Sequence, residues 1–128
     1  MTTTLPLSQG YSRGQSRALR EPRALDGTPL VMRGFVGDDD LRGLCQLFSE
    51  VFGQPMDVPQ WRWKYMHAPD SQHYHALAAH AHTGQLLGHM GVIVVPGVRG
   101  GQAIRMAHAT DLMISPLART GLGADSVY

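Results

Sequence analysis

The chain has 128 residues, 43% hydrophobic and 16% charged, which is about one domain's length with enough apolar material for a core. A formal charge of +1 offers none of the basic excess that nucleic acid or an anionic membrane surface requires, so neither is an expected partner. The single cysteine, Cys45, excludes an internal disulfide and a cysteine-built zinc site, and its place in a helical apolar pattern makes it a buried, inert thiol.

Residues Met1 to Thr28 are rich in Thr, Ser, Gly, Arg and Pro without a sustained period, and read as a disordered leader (residues 1–28) ahead of a folded domain (29–128). No apolar run approaches a membrane span, and the start lacks the basic-then-apolar order of a signal peptide. A soluble, cytoplasmic protein is the expectation.

Leu30 to Val36 reads as a short strand. Gly37 and the acidic run Asp38-Asp39-Asp40 supply a turn and a helix start. Leu41, Leu44, Cys45, Phe48, Val51 and Phe52 then recur at helical steps, and Gly53 stops the helix. A second helix begins at Asp57-Val58-Pro59 and carries Trp61, Trp63 and Tyr65 before Pro69. Three strands follow as a meander: His73 to His82, Leu87 to Val95 and Gln102 to Ile114. The turns are placed at Thr83-Gly84-Gln85 and at Pro96 to Gly101.

The last segment carries the chemical signal. Ser115-Pro116 breaks the strand, and Arg119-Thr120-Gly121-Leu122-Gly123-Ala124 reads as a loop opening a helix. Backbone N–H groups on such a turn can cradle a diphosphate, with Arg119 adding a charged donor. The alternative is an ordinary strand–turn–helix whose glycines serve only the turn.

Three stretches together resemble the GNAT-type N-acetyltransferases. Leu47-Phe48-Ser49-Glu50-Val51-Phe52-Gly53 followed by Trp61-Arg62-Trp63-Lys64-Tyr65 is similar to a signature of a divergent bacterial branch. Leu86-Leu87-Gly88-His89-Met90-Gly91 resembles the strand that many members enter through a Gly-His pair. Thr110 to Pro116 followed by Arg119 resembles the strand and loop that bind acetyl-CoA. The loop is one residue tighter than the family's usual spacing, unless it is a longer form running through Ala124-Asp125-Ser126.

The resemblance implies an α/β fold, a GNAT-like mixed, largely antiparallel sheet with two helices after the first strand, present as its N-terminal half with the C-terminal half missing. It implies acyl transfer from acetyl-CoA, or another acyl-CoA, to a small-molecule or peptide amine. Leu112, Met113 and Ile114 would pair with the pantetheine arm, and Arg119, Thr120, Gly121, Leu122, Gly123 and Ala124 would hold the diphosphate. Trp61, Trp63 and Tyr65 would wall the acceptor pocket. The competing readings are a non-catalytic acyl-CoA-binding or protein-interaction module, and a truncated chain without activity of its own. A truncated sheet would expose an apolar surface and an unpaired edge, favouring self-association.

For acid–base work the candidates are His108 and Asp111. Three residues apart on a regular strand, they would face opposite sides of the sheet, leaving at most one in the site. No metal site is expected: His73 and His75 would share one strand face and His80 and His82 the other, so the four would not converge.

Overall fold

The computed structural model describes residues 21–67 and 72–119. They form β1 (Leu30–Gly34), α1 (Asp38–Phe52), α2 (Val58–Met66), β2 (Gln72–His80), β3 (Leu86–Arg99), β4 (Gln102–Ile114) and one 3-10 turn at Pro116–Ala118. The strands lie in the order β1-β2-β3-β4, and each neighbouring pair is antiparallel.

Both helices pack on one face of the sheet. Leu41, Leu44 and Leu47 from α1 and Trp61 and Tyr65 from α2 meet Leu77, Ala79, Leu86 and Met113 of the strands, all of them buried. The Asp38–Asp40 run does start α1, though Gly37 at its N-cap has no side chain to offer. Asp40 supplies the tie instead: its carboxylate accepts from Val36 N–H and from both terminal nitrogens of Arg33 on β1. That bidentate pair sits at the domain's edge and joins helix to strand. Gly53 ends α1 in the left-handed conformation, as its position predicted. Asp57 begins α2 with a capping box, exchanging hydrogen bonds with Gln60.

The opposite face has a smaller apolar cluster of Ala24, Leu30, Ala78, Leu87, Ile114 and Ala118. Its first member lies inside the expected leader. Pro22 to Thr28 is folded: Pro22 accepts from Leu30 N–H, Leu25 N–H donates to Leu117, and Asp26 pairs with His80 Nε2 at 2.8 Å. The leader boundary at Thr28 was therefore set too late, because polar, glycine-containing composition also describes a tight loop pinned by backbone bonds. Residues 1–20 lie outside those described.

Three strand boundaries also differ from expectation. β1 ends at Gly34, two residues early, and β2 ends at His80, which leaves His82 in the turn. β3 runs through Pro96 to Arg99, so the turn is only Gly100-Gly101. Beyond Val94, β3 has no register partner on β2 and forms a two-stranded ribbon with β4, where a proline is tolerated. Gly100 and Gly101 have φ of +56° and +77°, the pair of left-handed residues that a two-residue hairpin loop demands. None of the described helices is long and apolar enough to cross a membrane.

Candidate active site

β3 and β4 are in register from Arg99↔Gln102 to Gly91↔Thr110, then slip: His89 pairs with Met113. Met90 thus faces both Asp111 and Leu112, a β-bulge in β4. Asp111 has φ +50°, the one non-glycine residue with positive φ among those described. Left-handed backbone costs an L residue about 1–2 kcal/mol, and aspartate is among the types that bear it best.

The bulge overturns the expectation that His108 and Asp111 face opposite ways. His108 pairs with Ile93, which packs against the helix-side core. The extra residue shifts the alternation, so the Asp111 side chain also reaches the helix side, where it meets α2. His108 itself is exposed.

Asp111 is bound at three points. Lys64 Nζ lies 2.8 Å from Oδ1 and 2.7 Å from Oδ2, and Tyr65 Oη donates to Oδ2. Its backbone carbonyl accepts from His89 Nδ1 at 2.7 Å. The carboxylate is 8% exposed and the lysine 33%, so the pair is shielded on one side only. Burial, reinforced by the hydrogen bond to Asp111 and by its charge, pushes the Tyr65 hydroxyl far above the ordinary tyrosine range. Tyr65 is therefore a fixed donor. With both oxygens of Asp111 engaged, that carboxylate is a poor candidate for a free base.

Gly91 makes this possible. A Cβ at that position would sit 2.7 Å from Tyr65 Oη and 3.1 Å from His89 Cε1. Only glycine leaves room for the hydroxyl to cross β3 toward Asp111.

Behind Asp111 lies a file of imidazoles that sequence reasoning missed. His89 Nε2 is 3.0 Å from His75 Nδ1, and His75 Nε2 is 3.0 Å from His73 Nδ1. His73 and His75 do share a face, as alternation requires, and their partner comes from β3 instead of from His80 or His82. The signal available in the sequence was the His-x-His pair opposite a Gly-His strand, which becomes legible only once the register places Leu77 against His89. Burial lowers His89, and burial together with its histidine neighbours lowers His75 to about 4. The rings stand in line, their nitrogens used pairwise, and among the described residues no group of His, Cys, Asp or Glu converges as a metal site.

Of the three aromatic candidates for an acceptor wall, Trp61 and Tyr65 are fully buried, packed on each other in a tilted pair at 4.8 Å between centroids. Their four-residue spacing puts them on one helix face. Trp63, between them, is 73% exposed and is the one free to meet a second molecule.

The expected diphosphate cradle is half outside the described residues. In the part that is described, the donors are already spent: Ser115 N–H goes to Leu87, Leu117 N–H to Ser115 Oγ, Ala118 N–H to Ser115 and Arg119 N–H to Pro116. Arg119 Nε donates to Ile114, and Ser115 Oγ donates to Glu50. A cradle that starts at Ser115 is thus corrected by the structure; Thr120, Gly121, Leu122, Gly123 and Ala124 lie outside the described residues. Leu112 is half exposed, while the side chains of Met113 and Ile114 are buried, and no described strand pairs with the outer edge of β4.

Cys45 is buried, and burial raises its thiol above the ordinary range, in keeping with an inert group.

No protein-family model matches the chain, and no curated protein matches it at significant similarity. Two solved structures do. One is a fungal multidomain β-N-acetylglucosaminidase, described as containing a GCN5-related glucosamine N-acetyltransferase region, at 20% identity and a TM-score of 0.52. The match covers 70% of this chain and 10% of that one. The other is an acetyltransferase of Trypanosoma brucei, at 20% identity and a TM-score of 0.47, covering 68% of this chain and 61% of that one. This chain therefore spans only part of each structure it resembles. The two-helix, antiparallel arrangement of the described residues is the α/β fold of the GCN5-related acetyltransferases.

Proposed function

We propose that this chain is an acyl-CoA-dependent N-acyltransferase domain that takes acetyl-CoA, or a related acyl-CoA, as donor and an amine as acceptor. One observation carries the reading: within this fold, β4 combines an outer edge that no described strand pairs with and a bulge at Asp111-Leu112. An unpaired edge presents backbone donors and acceptors to any extended, amide-bearing molecule, and the pantetheine arm of coenzyme A is one. The bound thioester would supply the activated acyl group. The chain's part is to align that arm along Leu112–Ile114 and to aim backbone N–H groups at the acyl oxygen, where negative charge develops during transfer.

A base for the incoming ammonium is the open part of this reading. Asp111 is saturated by Lys64 and Tyr65, which leaves His108, exposed on the helix side of β4, as the candidate still free to exchange protons with solvent. Trp63, exposed on α2, is our candidate for contact with the acceptor. The saturation of Asp111 is also what favours the second reading, an acyl-CoA-binding module without turnover.

Calorimetric titration of the full chain with acetyl-CoA tests the first step: no heat at high micromolar ligand removes both readings. Given binding, release of free thiol from acetyl-CoA with a panel of amines, glucosamine among them, separates them. Turnover that falls at least tenfold in a His108→Ala variant supports catalysis with His108 as base. Binding with no turnover leaves the module.

A further inference from the structure

The acyl-transfer reading uses an N–H at the bulge and leaves three buried or half-buried histidines without a task. Their proton positions follow from the outside in. The Asp111 carbonyl can only accept, so His89 must carry its proton on Nδ1. His89 is buried among Trp61, Tyr65 and Leu77 and stays neutral, which leaves its Nε2 bare. A bare Nε2 at 3.0 Å from His75 Nδ1 requires the proton to be on His75. The same step applies once more: neutral His75 has a bare Nε2, and His73 donates to it from Nδ1. All three rings therefore donate from Nδ1, and the direction of the file is dictated by a single backbone carbonyl.

That carbonyl belongs to the one peptide whose orientation matters for the edge. A trans peptide is planar, with its N–H pointing opposite to its C=O. Drawing the Asp111 C=O toward His89 turns the N–H of Leu112 away from His89, and Leu112 is, with Asp111, one of the two bulge residues without a register partner in β3. The left-handed φ of Asp111 is what lets the peptide take this attitude, and its side chain is anchored separately by Lys64 and Tyr65.

We infer that His75 and His89, with His73 behind them, are positioning residues: the tautomer-locked file holds the Asp111–Leu112 peptide so that the Leu112 N–H is presented to an acyl carbonyl at the outer edge of β4, which no described strand covers. The inference rests on the acyl-transfer reading for the identity of the guest, and on hydrogen-bond geometry and burial for the file and the peptide. His75 acts only through His89, donating from Nδ1 to its bare Nε2 and so holding the ring in the orientation and tautomer that the Asp111 carbonyl requires.

The test begins without any coenzyme. Long-range proton–nitrogen NMR of the full chain at pH 7 should find His75 and His89 protonated on Nδ1, and the Leu112 amide should exchange rapidly with solvent. An Nε2–H tautomer at either ring, or a Leu112 amide protected like its ladder neighbours, overturns the inference whether or not acetyl-CoA binds. Acetyl-CoA titration of two variants then follows. In His89→Asn the amide nitrogen reaches about the place of Nδ1 and keeps the donor; in His89→Gln it reaches about the place of Nε2 and loses it. The expected result is affinity within threefold of the parent for His89→Asn and a loss of roughly tenfold for His89→Gln, about one hydrogen bond's worth. Equal affinities in two variants of equal thermal stability overturn it. Failure of the parent chain to bind acetyl-CoA removes the functional reading while leaving the NMR result to stand or fall by itself.

Discussion

The two faces of the sheet are built from the same kind of alternating strand and end in different states. On the helix side, Leu77, Ala79, Leu86 and Met113 are covered by α1 and α2. On the other, Ala78, Leu87 and Ile114 are covered near β1 and the 3-10 turn, while Met32, Tyr74, Met90 and Leu112 are 43–59% exposed. The polar groups divide likewise. The file of histidines, Asp111, Lys64 and Tyr65 all sit on the helix side, where low dielectric makes each hydrogen bond both stronger and more costly to break. What decides a residue's energetic weight here is the element lying over it, more than its own hydrophobicity.

The largest contrast should come from Trp61 and Tyr74. Trp61→Ala empties the centre of the core and is expected to cost about 3–5 kcal/mol in urea unfolding. Tyr74→Ala, on the uncovered face, should stay within about 0.5 kcal/mol. Comparable losses would mean that something covers the second face as firmly as the helices cover the first. Trp61→Phe sharpens the point. The indole Nε1 has no acceptor among the described residues, so removing it should cost much less than its volume implies.

Next in size is the bulge. Asp111→Ala leaves Lys64 and Tyr65 without their shared partner, and we expect a loss of about 2–3 kcal/mol by urea unfolding, tempered by the partial exposure of the lysine. Asp111→Asn, which keeps an acceptor for Tyr65 and a residue type tolerant of positive φ, should lose less than half of that.

Acid should distinguish the faces a third way. His75 and His89 titrate lower in the folded protein than unfolded, so below about pH 6.5 the unfolded chain binds protons that the folded chain refuses. Stability therefore falls as pH drops from about 6.5 toward about 4, the folded value for His75, and is unaffected by these groups above that window. Urea midpoints at pH 7, 5.5 and 4.5 measure the slope. A His75→Phe variant should flatten it, and an unchanged slope would show that the file does not control acid sensitivity.

A smaller loss than that of the core or the bulge lies at the start of α2. Asp57→Ala removes the capping box of α2 and should cost about 1 kcal/mol in thermal or urea unfolding without changing the pH slope.

Much of the fold could be read in advance because local rules reinforce one another. The three- and four-residue steps from Leu41 to Phe52 make one face of a helix in any context, Gly53 ends it, and Trp61 and Tyr65 must share a face that Trp63 does not. Pro96 was misread as a turn because proline is penalised by a ladder on both sides, and whether β2 still flanks β3 at that point is a property of the sheet. Pro22 to Thr28 was misread as leader because backbone bonds to Leu30 and Leu117 leave no compositional mark.

The site divides along the same line. Residue spacing alone established two helices after a first strand, a meander behind them, and the aromatic pair that anchors α2, since periodicity depends only on backbone geometry. Tertiary structure alone decided that an extra residue in β4 would swing Asp111 to the side of His108, that Gly91 would yield space to a tyrosine, and that three imidazoles from two strands would line up behind one carbonyl. Each of those depends on register, and register is settled between strands, where no single stretch of sequence records it.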